Sequence, residues 1–190
     1  TQGARWTCLG EAHVKRLIGI AASIGLAGAF LVPAASVATA AESKPIGVTA
    51  VRVNYDVTKA LLGANVYVNG EDPGGSTILA PGKIALEFPV SGVKDGKASH
   101  TGDLFFSHTG AMGWRTVVVS NLTADLKKGT LKGRVYSLDS DLGTYTIFTL
   151  TKAKTSGSST SYTVKLAPGV ASLLNSALGV HVFSDGMRIG

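Results

Sequence analysis

Residues 98–126 read ASHTGDLFFSHTGAMGWRTVVVSNLTADL, and this stretch decides the fold. In its first half His100, Gly102, Leu104, Phe106 and His108 occupy every second position. In its second half Trp114, Thr116, Val118, Ser120, Leu122, Ala124 and Leu126 do the same. A period of two marks strands that bury one face. Between the halves, Thr109-Gly110-Ala111-Met112-Gly113 supplies the glycines a hairpin loop needs. The stretch predicts a long antiparallel hairpin. Leu104, Phe106, Val118 and Leu122 should enter one core, with Phe148 and Val164 from later strands, and Trp114 should sit with them.

The flanks read the same way. Thr49, Val51, Val53, Tyr55 and Val57 alternate into a first long strand, and Ala64–Val68 predicts a second. Asn69–Ser76 is loop-rich in Gly, Asp and Pro. Ile84, Leu86 and Phe88 form a third strand that Pro89 ends or places at an edge, and Ser91–Gly96 is a turn. On the other side, Lys127-Lys128-Gly129 turns into a strand with Leu131, Gly133 and Val135 inward. Asp139–Gly143 turns into Tyr145–Thr151, and a flexible loop over Thr155–Ser161 precedes a strand at Tyr162–Leu166. The period then becomes helical: Val170, Leu173, Leu174, Ala177 and Leu178 share one stripe, opened by Pro168 and closed by Gly179. His181–Gly190 is a last turn and short strand. About eight or nine strands and one short C-terminal helix predict an all-β protein, a two-sheet antiparallel β-sandwich.

The 190 residues suffice for one domain of ordinary size. Residues 14–40 have the organisation of a secretory signal peptide. Lys15-Arg16 is the positive region, Leu17–Leu31 the apolar core, Pro33 its end and Ala38-Thr39-Ala40 a small-x-small cleavage site before Ala41. The apolar core is shorter than the ~20 residues of a spanning helix, so the membrane is met only through this leader before cleavage. Residues 1–13 do not fit such a leader and read as a non-native extension, with Val14 the expected start. The organisation expected is therefore extension 1–13, signal peptide 14–40 and one secreted β-sandwich domain, 41–190. The net charge of +6 falls to +4 once Arg5, Glu11, Lys15 and Arg16 are set aside. The remaining cations are scattered without a patch, which argues against nucleic acid as a partner. Cys8 is the only cysteine, so the body can form neither a disulfide nor a thiolate site.

No G-x-S-x-G elbow, H-E-x-x-H or phosphate-binding glycine loop is present. Ser107 and His108 are neighbours on a strand and point to opposite faces, so they cannot pair as nucleophile and base. His100 and His108 share a face but stand roughly 26 Å apart along an unbroken strand, too far for one metal. The carboxylate turns Asp139-Ser140-Asp141 and Glu71-Asp72 fall short of the six to eight oxygens that calcium takes. The expectation is a non-enzymatic exported protein of the envelope or extracellular space, binding an unidentified ligand there through its surface. An enzyme of unrecognised type is a further alternative.

The run FPVSGVKDGKASHTGDLFFSHTGAMGWRTVVVSNLTADLKKGTLKGRV, with the C-terminal LAPGVASLLNSALGVHVFSDGMRIG, resembles the exported β-domains of actinobacteria of the Htaa type. The resemblance covers Phe88–Gly190. It implies a two-sheet β fold with a small helix and, as some Htaa domains do, haem binding through a tyrosine supported by a histidine. The tyrosine falls on Tyr55 or Tyr67 and the histidine on His100 or His108. Tyr55, at a strand end, and His108, beside a Gly-rich turn with room for a flat ligand, are the first choices. The alternative function is thus a haem-binding protein of iron uptake, with haem as its cofactor.

Overall fold

The computed structural model describes residues 44–190 except Met112 and Asp139; the expected extension, 1–13, and expected signal peptide, 14–40, lie outside the described residues. The organising stretch forms three strands: β5 (Lys97–His100), β6 (Leu104–Gly110) and β7 (Gly113–Asp125). β5 and β6 follow one another along the same edge of β7. They are interrupted at Gly102, whose φ of +86° suits glycine. Leu104, Phe106 and His100 are inward and buried, as the alternation predicts.

On β7 the expectation holds for only half the strand. Val117 and Val119 are fully buried, whereas Val118 is half-buried and Trp114 is 64% exposed. Beyond them Leu122 and Ala124 are buried again. The phase changes at Asn121, which has φ +53° and lies where the pairing with β8 (Thr130–Ser137) shifts between Ser120 and Thr123. This β-bulge adds one residue and flips the faces on either side of it. Gly133 makes room for it. A Cβ there would lie 2.4 Å from Val119 Cγ1 and 3.0 Å from Ser120 O.

The strands are β1 (Gly47–Arg52), β2 (Val66–Gly70), β3 (Gly75–Ala80), β4 (Lys83–Lys94), then β5 to β8, β9 (Ser140–Ser156) and β10 (Ser159–Leu166). They form one sheet of ten strands along the path β1-β4-β5-β7-β8-β9-β10, with β3 on β4 and β2 on β6. The all-β class and the C-terminal helix are as expected; in place of two packed sheets, one sheet curls nearly closed. Alternation cannot distinguish the two, because sandwich and barrel each bury one face of every strand. The C-terminal tail closes part of the seam. Ile189 and Gly190 exchange backbone hydrogen bonds with Val164 of β10, and Asn54, just after β1, donates to the Ile189 carbonyl at 2.7 Å.

Other boundaries move for local reasons. Pro89 does not end its strand; it pairs with Val48 inside β4, whose true end is the Asp95-Gly96 turn. Both turn residues have positive φ, 53° and 79°, the geometry of a two-residue hairpin loop. Thr155–Ser161 is not a loop, because β9 and β10 run through it to a tight turn at Gly157. β3 occupies residues expected to be loop and unassigned.

The first strand stops at Arg52, and Tyr55–Gly63 is a helix, α1. Asn54 caps it, its Oδ1 accepting from the Asp56 N–H at 2.9 Å. Val57 and Leu61, one turn apart, face the core. The second helix, α2 (Val170–Leu178), lies where its stripe predicts, with Val170, Leu174 and Leu178 buried and Gly179 ending it at φ +70°.

Below Gly102 the sheet forks. β6 carries β2, while the lower part of β4 carries β3, and α1 packs over the opening between them. Gly102 itself abuts the β2–β3 loop, where a Cβ would lie 2.7 Å from Glu71 O.

Candidate functional site

Tyr55 and His108, the residues expected to hold haem, stand on different elements, α1 and β6. Tyr55 opens α1, 52% exposed, with its ring against Gly82. His108 pairs in register with Val66, beyond the other end of that helix. The nine-residue α1 lies in the chain between Tyr55 and the β2 strand that carries Val66. His108 has another task. Its Nδ1–H donates to the Leu178 carbonyl at 2.9 Å, tying the end of α2 to β6. The room expected for a flat ligand holds this imidazole: a Cβ on Gly110 would be 2.5 Å from His108 Cε1.

His100 is equally occupied. Its Nδ1–H donates to the Leu122 carbonyl at 3.3 Å, and its Nε2 is hydrogen-bonded to the Thr49 hydroxyl at 2.8 Å, which can donate to the neutral ring or accept from the charged one. Burial pushes its pKa below the usual histidine value, against a smaller upward pull from the Leu122 carbonyl. Of the carboxylate turns, Asp141 is paired with Arg134 and accepts from the Gly143 N–H; the Arg134 guanidinium holds its pKa below the usual carboxylate range. Among the described residues no group of three or more His, Cys, Asp or Glu is placed to hold a metal.

What the fold does assemble lies on the outer side of β2, β6 and β7. Register places Tyr67 beside Ser107 and Ser107 beside Thr116, then Asn69 beside Phe105, and Thr109 beside Trp114. All seven side chains lie opposite the buried Val66, Phe106, Val117 and Val119. Together with Glu71 they line a shallow open cleft of about 650 Å³. Trp114 and Tyr67 are 64% and 47% exposed, and Phe105 is half-buried. The Trp114 indole N–H donates to Thr116 Oγ1 at 2.7 Å, which fixes the ring relative to the sheet. At ~4.8 Å between strands and ~3.3 Å per residue, Tyr67 and Phe105 are roughly 8 Å apart, and Tyr67 and Trp114 roughly 12 Å. No known family model, curated protein or solved structure matches this chain. The face must therefore be judged on its own chemistry.

Two recesses adjoin the barrel wall. One, about 390 Å³, lies under α1 in the fork and is lined mainly by Val53, Leu61, Val66, Val68, Ile78 and Ile84. It shares Tyr67, Asn69 and Ser76 with the outer cleft, where Ser76 donates to Asn69 Oδ1 at 3.2 Å. The other, about 640 Å³, opens between β1 and β10 beside Gly190 and is largely apolar. Sequence reasoning passed over Tyr67, Asn69, Phe105 and Ser107 as a set. A signal was there: Phe105 and Phe106 are adjacent on a strand, so one ring must face outward.

Proposed function

We propose that this is a non-enzymatic exported protein of the cell envelope or extracellular space that works by binding through the outer face of β2, β6 and β7. The observation that supports this reading is Trp114. Large aromatic rings left on a surface cost solvation that burial would recover, and here one is held in place by a hydrogen bond to Thr116 on a face that also carries Tyr67 and Phe105. The inner face beneath is closed by Leu104, Phe106, Val117 and Val119, all buried. Export rests on the leader of residues 14–40. Ser107 and His108 lie on opposite faces, with His108 engaged by α2, so these two do not form a nucleophile–base pair.

The test is retention. Purified protein mixed with isolated envelope should co-sediment, and the double variant Phe105→Ser, Trp114→Ala should stay in the supernatant with an unchanged melting temperature. Equal retention of variant and parent would refute the role of this face. Mass spectrometry of the exported form should place its N-terminus at Ala41.

A further inference from the structure

Resting on that reading, we infer that the ligand of the outer face is a saccharide, a short stretch of uncharged glycan. A pyranose ring offers C–H groups on its flat sides and hydroxyls around its edge. A site for it needs flat apolar rings interrupted by small neutral donors and acceptors. The face has this alternation. Tyr67, Phe105 and Trp114 are separated along and across the strands by Asn69, Ser107 and Thr116. Thr116 Oγ1 accepts from the indole, which leaves its own hydroxyl proton to donate. Asn69 adds an amide with both donor and acceptor character.

Competing ligands fit less well. Glu71 is the one charged side chain among the residues lining the cleft, so phosphate-bearing polymers meet a carboxylate and no cation. A protein partner would call for a contiguous apolar centre, but here every ring is bordered by a hydroxyl or an amide. Arg134, outward on the neighbouring β8, is paired with Asp141 and lies over the Tyr136 ring. Rings spaced at roughly 8 and 12 Å across the strands suit successive residues of a chain better than one monosaccharide.

Fluorescence supplies the test, because the chain has two tryptophans. Trp6 precedes the expected start of the exported form at Ala41, so the emission of that form reports on Trp114 alone. This protein is titrated with neutral oligosaccharides: glucose, galactose, mannose and N-acetylglucosamine oligomers of increasing length. The expected result is a saturable emission change with at least one series, tightening as the oligomer lengthens. Tyr67→Ala and Phe105→Ala should each weaken it about tenfold or more, with melting temperature unchanged. If no oligomer binds while envelope retention still requires Trp114, the saccharide inference is overturned and the binding face stands with another ligand. If retention is indifferent to Trp114 as well, both fall.

Discussion

The two faces of the β6–β7 hairpin carry similar residue types to opposite ends. On the inner face Phe106 is 3% exposed and meets Phe183 edge-to-face, ring centroids 5.8 Å apart. On the outer face its neighbour Phe105 lies in an open cleft with Trp114 and Tyr67. The inner rings have partners from α2 and the tail; the outer rings have hydroxyls and an amide beside them. A ring surrounded by side chains contributes to stability, and a ring surrounded by small polar groups is available to a ligand. The inner face should therefore respond to mutation in stability and the outer face in binding.

The largest effect expected is from removing what covers the inner face. Deleting residues 168–190 takes away α2, Phe183 and the tail that bonds to Val164 and Asn54. The truncated protein should aggregate or lose its cooperative melt; a soluble product melting at the parent temperature would show that this cover is an appendage. Next, Phe106→Ala should cost about 3–5 kcal/mol, the usual loss for a buried aromatic, read from urea denaturation. A loss below 1 kcal/mol would contradict the inward assignment of β6.

A smaller effect concerns His100, which is buried on the inner face. Its folded pKa lies below the ordinary histidine value because of burial. Once the pH falls below about 6.5, the unfolded chain takes up a proton that the folded chain resists. Stability from this group is thus complete above that pH and declines on acidification, by at most about 1.4 kcal/mol per pH unit. Urea titrations between pH 7 and 5 should show the decline, and His100→Gln should flatten it; an unchanged slope would exclude His100 as its source. Staying above pH 5 limits interference from Asp103, whose burial raises its carboxyl pKa and whose linkage has the opposite sign. The smallest stability effect is on the outer face. Trp114→Ala should shift the unfolding free energy by no more than about 0.5 kcal/mol, and a loss comparable to that of Phe106→Ala would erase the contrast between the faces.

Much of this contrast was legible in residues 98–126, but not all of it. The alternation placed Leu104 and Phe106 inward correctly because β6 is regular. It misplaced Trp114 and Val118 because the Asn121 bulge reverses phase within one strand, and hydrophobicity alone does not register an inserted residue. Asn in a β-branched run and Gly133 on the adjoining strand are the traces that the bulge left. Tyr55 was assigned to a strand because Val53, Tyr55 and Val57 alternate. The same residues satisfy a helix beginning at Asn54, and Val57 with Leu61 marks its stripe. Of the candidate site, single residues were visible and their assembly was not, since pairing Tyr67 with Ser107 and Ser107 with Thr116 depends on register between strands far apart in sequence.

The most direct measurement of the central claim is a residue-by-residue one. Amide and indole proton–nitrogen spectra of the isotopically labelled protein would be recorded while solubilised envelope fragments are added. Shift changes should centre on the Trp114 indole N–H and on the amides of Tyr67, Asn69, Phe105 and Ser107, with the inner-face Val117 and Val119 changing least. Changes centred instead on Val48, Val93 and Tyr162 in the recess between β1 and β10, with the outer face silent, would contradict it.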